Sequence, residues 1–89
     1  MEEKFIAAFE SNRAAAGLMG IRMRSLDVKG AKRCLSGTRL SDGFNDLKTK
    51  GQLKLSLEAL VIDKRFTALF TDEEANEALQ RLLEAGYRF

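Results

Sequence analysis

The sequence predicts a mainly α fold, in which residues 1–89 form one compact single-domain bundle of four to five short helices. Apolar residues recur at intervals of three and four positions, as on the inner face of a helix. Seven glycines and no proline separate these stretches, which suits helices joined by short turns. A chain of 89 residues with 45% apolar side chains has the material for one hydrophobic core.

The strongest helix signal lies between Thr71 and Tyr87. Thr71 and Glu74 have the spacing of a capping box, in which each side chain bonds the other residue's backbone amide. Gly86 stands where a left-handed residue ends a helix, with Tyr87 following it. The predicted inward stripe consists of Ala75, Ala78, Leu79, Leu82 and Leu83.

Two helices are predicted in the first 37 residues. The first runs from residue 2 to about residue 19 and ends at Gly20. The second runs from Val28 to Ser36, with Asp27 as its N-cap and Gly37 as its end. The residues expected to face inward are Phe5, Ile6, Phe9, Ala16 and Met19 in the first helix, and Val28, Ala31, Cys34 and Leu35 in the second.

The segment from residue 41 to residue 70 is predicted to contain shorter helices. Ser41 is expected to cap a third helix that runs through Lys50 and stops at Gly51, and Ser56 is expected to start a fourth. The apolar spacing breaks at residues 63–64, which predicts a bend or two short helices there. The inward residues of this segment are Phe44, Leu47, Leu57, Leu60, Val61, Phe66, Leu69 and Phe70.

Residues 21–24 and 53–57 alternate apolar and polar side chains, which is the pattern of a half-buried strand. We expect both pieces to be extended linkers whose apolar side chains reach the core. The alternative is a minor two-stranded ribbon, which is stable only when it packs against other elements.

The composition argues against most enzyme classes. The chain has no histidine, which removes the usual general base and the commonest zinc ligand, and it has no cofactor motif. We therefore predict a small non-enzymatic regulatory or accessory protein with no cofactor and no metal. One cysteine, Cys34, cannot form an internal disulfide, so a cytoplasmic location is expected. No apolar run approaches the ~18 residues of a membrane span, so a membrane partner is not expected.

Charge is distributed unevenly along the chain. Between Arg13 and Lys54 there are ten basic and three acidic residues, a net charge of +7, while both flanking segments are net negative. This asymmetry predicts a contact surface for nucleic acid or for another acidic partner such as an acidic protein. The alternative is that the cations are solvated, or paired with the acidic last helix of the same molecule. The candidate binding residues are Arg22, Arg24, Lys29, Lys32, Arg33, Arg39, Lys48 and Lys50.

Two known motifs, the DNA-binding helix-turn-helix and the phosphate-binding P-loop, fit the sequence poorly. A helix-turn-helix over the second and third helices would need a shorter turn than residues 37–41 provide, and Arg33 would occupy a position that requires a small buried residue. The run GTRLSDG at residues 37–43 lacks the Gly-Lys-Ser/Thr ending of a P-loop. We therefore interpret this segment as a connection between helices.

The second functional hypothesis is a protein–protein adaptor or a homodimer. It would use apolar side chains that one copy of the chain cannot fully cover. The aromatic residues proposed for this contact are Phe66, Phe70 and Phe89.

Overall fold

The computed structural model describes residues 2–37 and 40–87. Within these ranges the chain forms five α-helices and two short 3-10 helices, so the mainly α prediction is confirmed. The α-helices are α1 (Glu2–Leu18), α2 (Val28–Ser36), α3 (Phe44–Thr49), α4 (Leu57–Val61) and α5 (Asp72–Glu84), and the 3-10 helices are Leu53–Leu55 and Thr67–Leu69. The radius of gyration is 11.7 Å, close to the about 12 Å expected of a folded chain of this length.

The alternative two-stranded ribbon does not form. No strand is present in the described part of the chain, and Leu53–Leu55 is a 3-10 helix. Residues 21–27 form neither helix nor strand, and Ile21 and Met23 are buried in the core as expected for a linker. None of the described helices is both long and apolar enough to cross a lipid bilayer.

The core is built around aromatic side chains of α1 and of the segment before α5. Phe5 is fully buried, and its ring meets the rings of Phe66 and Phe70 edge-on at centroid distances of 5.5 and 5.4 Å. Phe66 and Phe70 are only 2% and 8% exposed. The expectation that a single copy leaves Phe66 and Phe70 uncovered is therefore wrong, whereas the adaptor or homodimer hypothesis stays a prediction. Phe89 lies outside the described residues.

Most helix ends follow the local signals. Thr71 accepts a hydrogen bond from the Glu74 amide at 3.1 Å, and the Glu74 carboxylate accepts one from the Thr71 amide at 2.8 Å. At the other end of α5 the Tyr87 amide donates to the Leu82 carbonyl at 2.9 Å, beyond a left-handed Gly86. Helices α1 and α3 end with the same kind of backbone hydrogen bond, beyond two further glycines with positive φ, Gly20 and Gly51. The predicted bounds of α2 and the start of α4 at Ser56 are also confirmed.

Two details of the prediction are wrong. Leu83 is 54% exposed, because the buried side of α5 is centred on Ala78 and Leu82 and the next position already turns toward solvent. Ser41 does not cap α3, which follows Gly43 instead. The Ser41 side chain is buried and bonds to Glu58 of α4, as described below.

Candidate anion-binding face

The connector, residues 21–27, presents two arginines to solvent. Its apolar positions Ile21 and Met23 are 2% and 7% exposed and lie in the core. Arg22 and Arg24 alternate with these two buried residues, and both are exposed. The alternation noted in the sequence therefore leaves two cations exposed on the connector.

The connector is attached to α1 by hydrogen bonds. The Arg13 guanidinium donates to the Met23 carbonyl at 3.4 Å, and the Ser25 hydroxyl donates to the Glu10 carboxylate. The Ser25 hydrogen bond, with that of Arg13, holds the pKa of Glu10 below its usual value, so Glu10 is ionised at neutral pH. These contacts fix the backbone from which Arg22 and Arg24 project.

Helix α2 adds two more outward cations. Its N-cap is Asp27, whose carboxylate accepts a hydrogen bond from the Gly30 amide at 2.8 Å. Its buried side consists of Val28, Ala31 and Leu35. Lys29 and Arg33 are one helical turn apart on the opposite side, and both are exposed. We call the four residues Arg22, Arg24, Lys29 and Arg33 the basic face.

An open groove brings the connector and α2 together. Arg24 and Arg33 both line it, and its volume is about 940 Å³. Its other walls include half-buried Leu26 and Cys34 from the connector and α2, and exposed Leu40 from the segment before α3. Two carboxylates, Asp27 and Asp42, also line it. The groove thus combines cationic, anionic and apolar side chains.

The charges of the basic face are weakly compensated inside the molecule. Within residues 2–37 and 40–87, the side chains of Arg22, Lys29 and Arg33 form no ion pair and no hydrogen bond. Arg24 is 3.7 Å from Asp42, and these side chains are 73% and 53% exposed. An ion pair so long and so exposed contributes little.

Lys32 is not part of this face. Its Nζ is 2.8 Å from a Glu74 carboxylate oxygen of α5 and 5.4 Å from the centroid of the Phe70 ring. Adjacent residues of a helix are about 100° apart, so Lys32 lies on the flank of α2 that contacts α5 while Arg33 lies beside the groove. Lys32 is one of the eight candidate binding residues predicted from the sequence, but its charge is compensated within the chain.

Lys48 and Lys50, two further predicted cations, do not line the groove between the connector and α2. Lys50 donates a hydrogen bond to the Met19 carbonyl at 2.6 Å. Lys48 lines a second, smaller groove beside Lys54 and Tyr87. Arg39 lies outside the described residues. Since α3 has only six residues, it is less than two turns long, which fits a DNA-recognition helix poorly.

Beneath the groove lies a buried ion pair that the sequence analysis missed. Glu58 of α4 is fully buried, and Arg81 of α5 is 6% exposed. Arg81 Nη1 is 3.3 Å from Glu58 Oε2, and Arg81 Nε donates to the Glu77 carboxylate at 2.8 Å. Glu58 also accepts hydrogen bonds from the Ser41 amide and hydroxyl at 3.3 and 2.5 Å.

Arg81 also binds the carboxyl end of α2. Its Nη2 donates to the carbonyls of Cys34 and Gly37 at 3.4 and 3.2 Å. Glu58 was assigned no role from the sequence. The available signal was that Glu58 lies three residues before buried Val61, and Arg81 three residues after buried Ala78, which places both on inward helix faces. The buried pair therefore anchors three residues that line the groove: Arg81 binds Cys34 and Gly37, and Glu58 binds Ser41.

Cys34 lines the groove and is half-buried. Burial raises the pKa of Cys34, and the negative charge of Glu58 adds to that effect. The thiol is therefore protonated at neutral pH, as the interpretation of Cys34 as a small apolar residue requires. Among the residues with described coordinates, no three potential metal ligands lie together.

In comparisons with known protein families, curated proteins and solved structures, nothing matches this chain.

Proposed function

We propose that this protein is a small non-enzymatic regulatory or accessory module that binds an anionic partner through the basic face. The observation that carries the proposal is the exposure of Arg22, Arg24, Lys29 and Arg33 on the connector and the adjoining helix, with three of them lacking any ion pair in the described parts of the chain. Exposed cations grouped in this way attract polyanions and speed their association. Nucleic acid and acidic protein surfaces both meet this charge requirement.

The proposed surface is narrower than the eight residues that the sequence suggested. Lys32 and Lys50 have partners within the molecule, and Lys48 lines a different groove. The proposal includes no catalytic step, since the chain has no histidine, and its single cysteine has a raised pKa. It includes a cytoplasmic location, which the presence of one unpaired cysteine favours.

Fluorescence anisotropy tests the proposal with labelled duplex DNA, single-stranded oligonucleotides and poly-glutamate. We expect binding of at least one of these polyanions that weakens steeply between about 50 and 200 mM salt. The variant Lys29→Glu/Arg33→Glu is expected to lose affinity about tenfold or more at low salt.

The matched control is Lys4→Glu/Lys64→Glu. Both lysines are exposed and lie outside the basic face, and the control changes the net charge of the chain by the same amount. It is expected to retain most of the affinity. Equal losses in the two variants would show that only the net charge matters, and binding that does not respond to salt would refute the proposal.

A further inference from the structure

The lining of the groove distinguishes between the two classes of anionic partner. Arg24 and Arg33 supply positive charge, while Leu26, Leu40 and Cys34 supply apolar surface. Leu40 is 40% exposed, so it is accessible to a docking side chain. The volume of about 940 Å³ lies at the upper end of the range of ligand sites, about 300–1,000 Å³.

The arrangement fits a nucleic-acid backbone poorly. A nucleic-acid strand carries a negative charge at every nucleotide, and Asp27 and Asp42 in the groove lining would repel such a continuous row of phosphates. Single-stranded nucleic acids are commonly held by stacking of bases on aromatic rings. No aromatic side chain is among the described residues that line this groove.

We infer that the groove receives a segment of a partner protein that places two carboxylates on Arg24 and Arg33, a leucine-like side chain against Leu26 and Leu40, and no acidic residue opposite Asp27 and Asp42. Guanidinium groups hold carboxylates through paired, directional hydrogen bonds, and a polypeptide can place acidic and apolar residues in alternation. The inference rests on the proposed function and names the class of partner for the same face.

Two features prepare the groove for such a segment. The pair between Arg24 and Asp42 is long and exposed, so Arg24 can exchange Asp42 for a carboxylate of the partner at little cost. The Glu58–Arg81 pair fixes Cys34, Gly37 and Ser41 from below through the hydrogen bonds already described. A wall that is already ordered loses less conformational freedom on binding.

The test measures retention of synthetic peptide pools on the immobilised full-length protein. In one pool glutamate, aspartate and serine vary at random around two fixed leucines, and in the matched pool the leucines are replaced by serines. We expect about tenfold stronger retention of the leucine pool, the amount that burial of one apolar side chain supplies. Leu40→Ser should abolish most of that difference, and Arg33→Gln should lower the retention of both pools.

Leu18→Ser is the control for Leu40→Ser, because Leu18 is 92% exposed and does not line the groove. It should leave retention unchanged, and circular dichroism of each variant verifies folding. Equal retention of the two pools would overturn the inference. If oligonucleotides bind in a manner that depends on Lys29 and Arg33 while neither pool is retained, the inference fails and the proposed function stands. If no anionic probe binds, both fail.

Discussion

Replacing Arg81 by methionine tests the claim that a buried ion pair holds α2, α4 and α5 together. The substitution keeps a long apolar side chain but removes the positive charge. Glu58 then remains fully buried with only Ser41 as a hydrogen-bond donor. The carbonyls of Cys34 and Gly37 lose the donor that Arg81 supplies.

The expected loss is large for a chain of this size. Removing one partner of a buried ion pair costs about 3–5 kcal/mol, because the other charge is left uncompensated. The whole domain is expected to be stable by only about 5–10 kcal/mol. With an m value of about 1–1.5 kcal/mol/M, the urea midpoint of Arg81→Met should fall by about 2–5 M.

A double variant and a matched control complete the test. In Glu58→Gln/Arg81→Met the amide oxygen can still accept from Ser41 and no buried charge is left, so the loss should be smaller than the sum of the two single losses by about 1–3 kcal/mol. Arg65→Met makes the same substitution in the exposed pair with Asp63 and should barely move the midpoint. If Arg81→Met and Arg65→Met shift the midpoint equally, the buried pair is not structurally important and the reasoning is refuted.

Two further predictions concern backbone and acid stability. Gly43→Ala should destabilise by about 1–3 kcal/mol, because Gly43 has φ +76° and a Cβ would lie 2.8 Å from an Ile21 methyl carbon. Gly17→Ala, with no atom within 4 Å of its added Cβ, should stabilise by about 0.5–1 kcal/mol, and a thermal shift of the same sign for both would contradict this account. Burial raises the pKa of Glu74, but the hydrogen bond from Lys32 and other hydrogen bonds outweigh it and hold the pKa below its usual value. The ionised Glu74 carboxylate therefore contributes to the free energy of unfolding above about pH 4.3. This stabilisation is lost as the pH falls through the lowered pKa of Glu74 in the folded state. Glu74→Gln should therefore flatten the acid limb of a urea-midpoint profile, and an unchanged limb would count against the contact.

The helix ends were predictable because their signals are local. Asp27 caps a backbone amide three residues away, and Thr71 with Glu74 closes a capping box over the same separation. Gly86 ends α5 through a bond between Tyr87 and Leu82. Each of these contacts lies within one turn or so of the residue that signals it, so residue type and spacing suffice to find it.

The contacts between charged side chains were not predictable in the same way. Lys32 and Glu74 are 42 positions apart, and Glu58 and Arg81 are 23 apart. Helical spacing can show that a side chain lies on a flank or on the inner side, but it does not show which helix packs there. The net charge of the central segment could therefore be predicted from the sequence. The division of its cations among the basic face, an internal ion pair and a second groove could not, because it depends on how the helices pack.

Helix α2 shows why a costly buried charge is useful at this position. Helices α1, α3 and α5 each end at a left-handed glycine whose turn satisfies the last carbonyls. Gly37 after α2 is extended, with φ −87° and ψ 179°, so the chain leaves the helix without that closure. The Cys34 carbonyl accepts a hydrogen bond from the Gly37 amide at 3.3 Å, and Arg81 adds a second donor to it and also donates to the Gly37 carbonyl. A guanidinium is suited to this task because it carries several donors in a fixed plane, and Glu58 balances its charge where water is excluded. A lysine at position 81 keeps the charge but not the planar fork, so Arg81→Lys should restore only part of the stability that Arg81→Met removes.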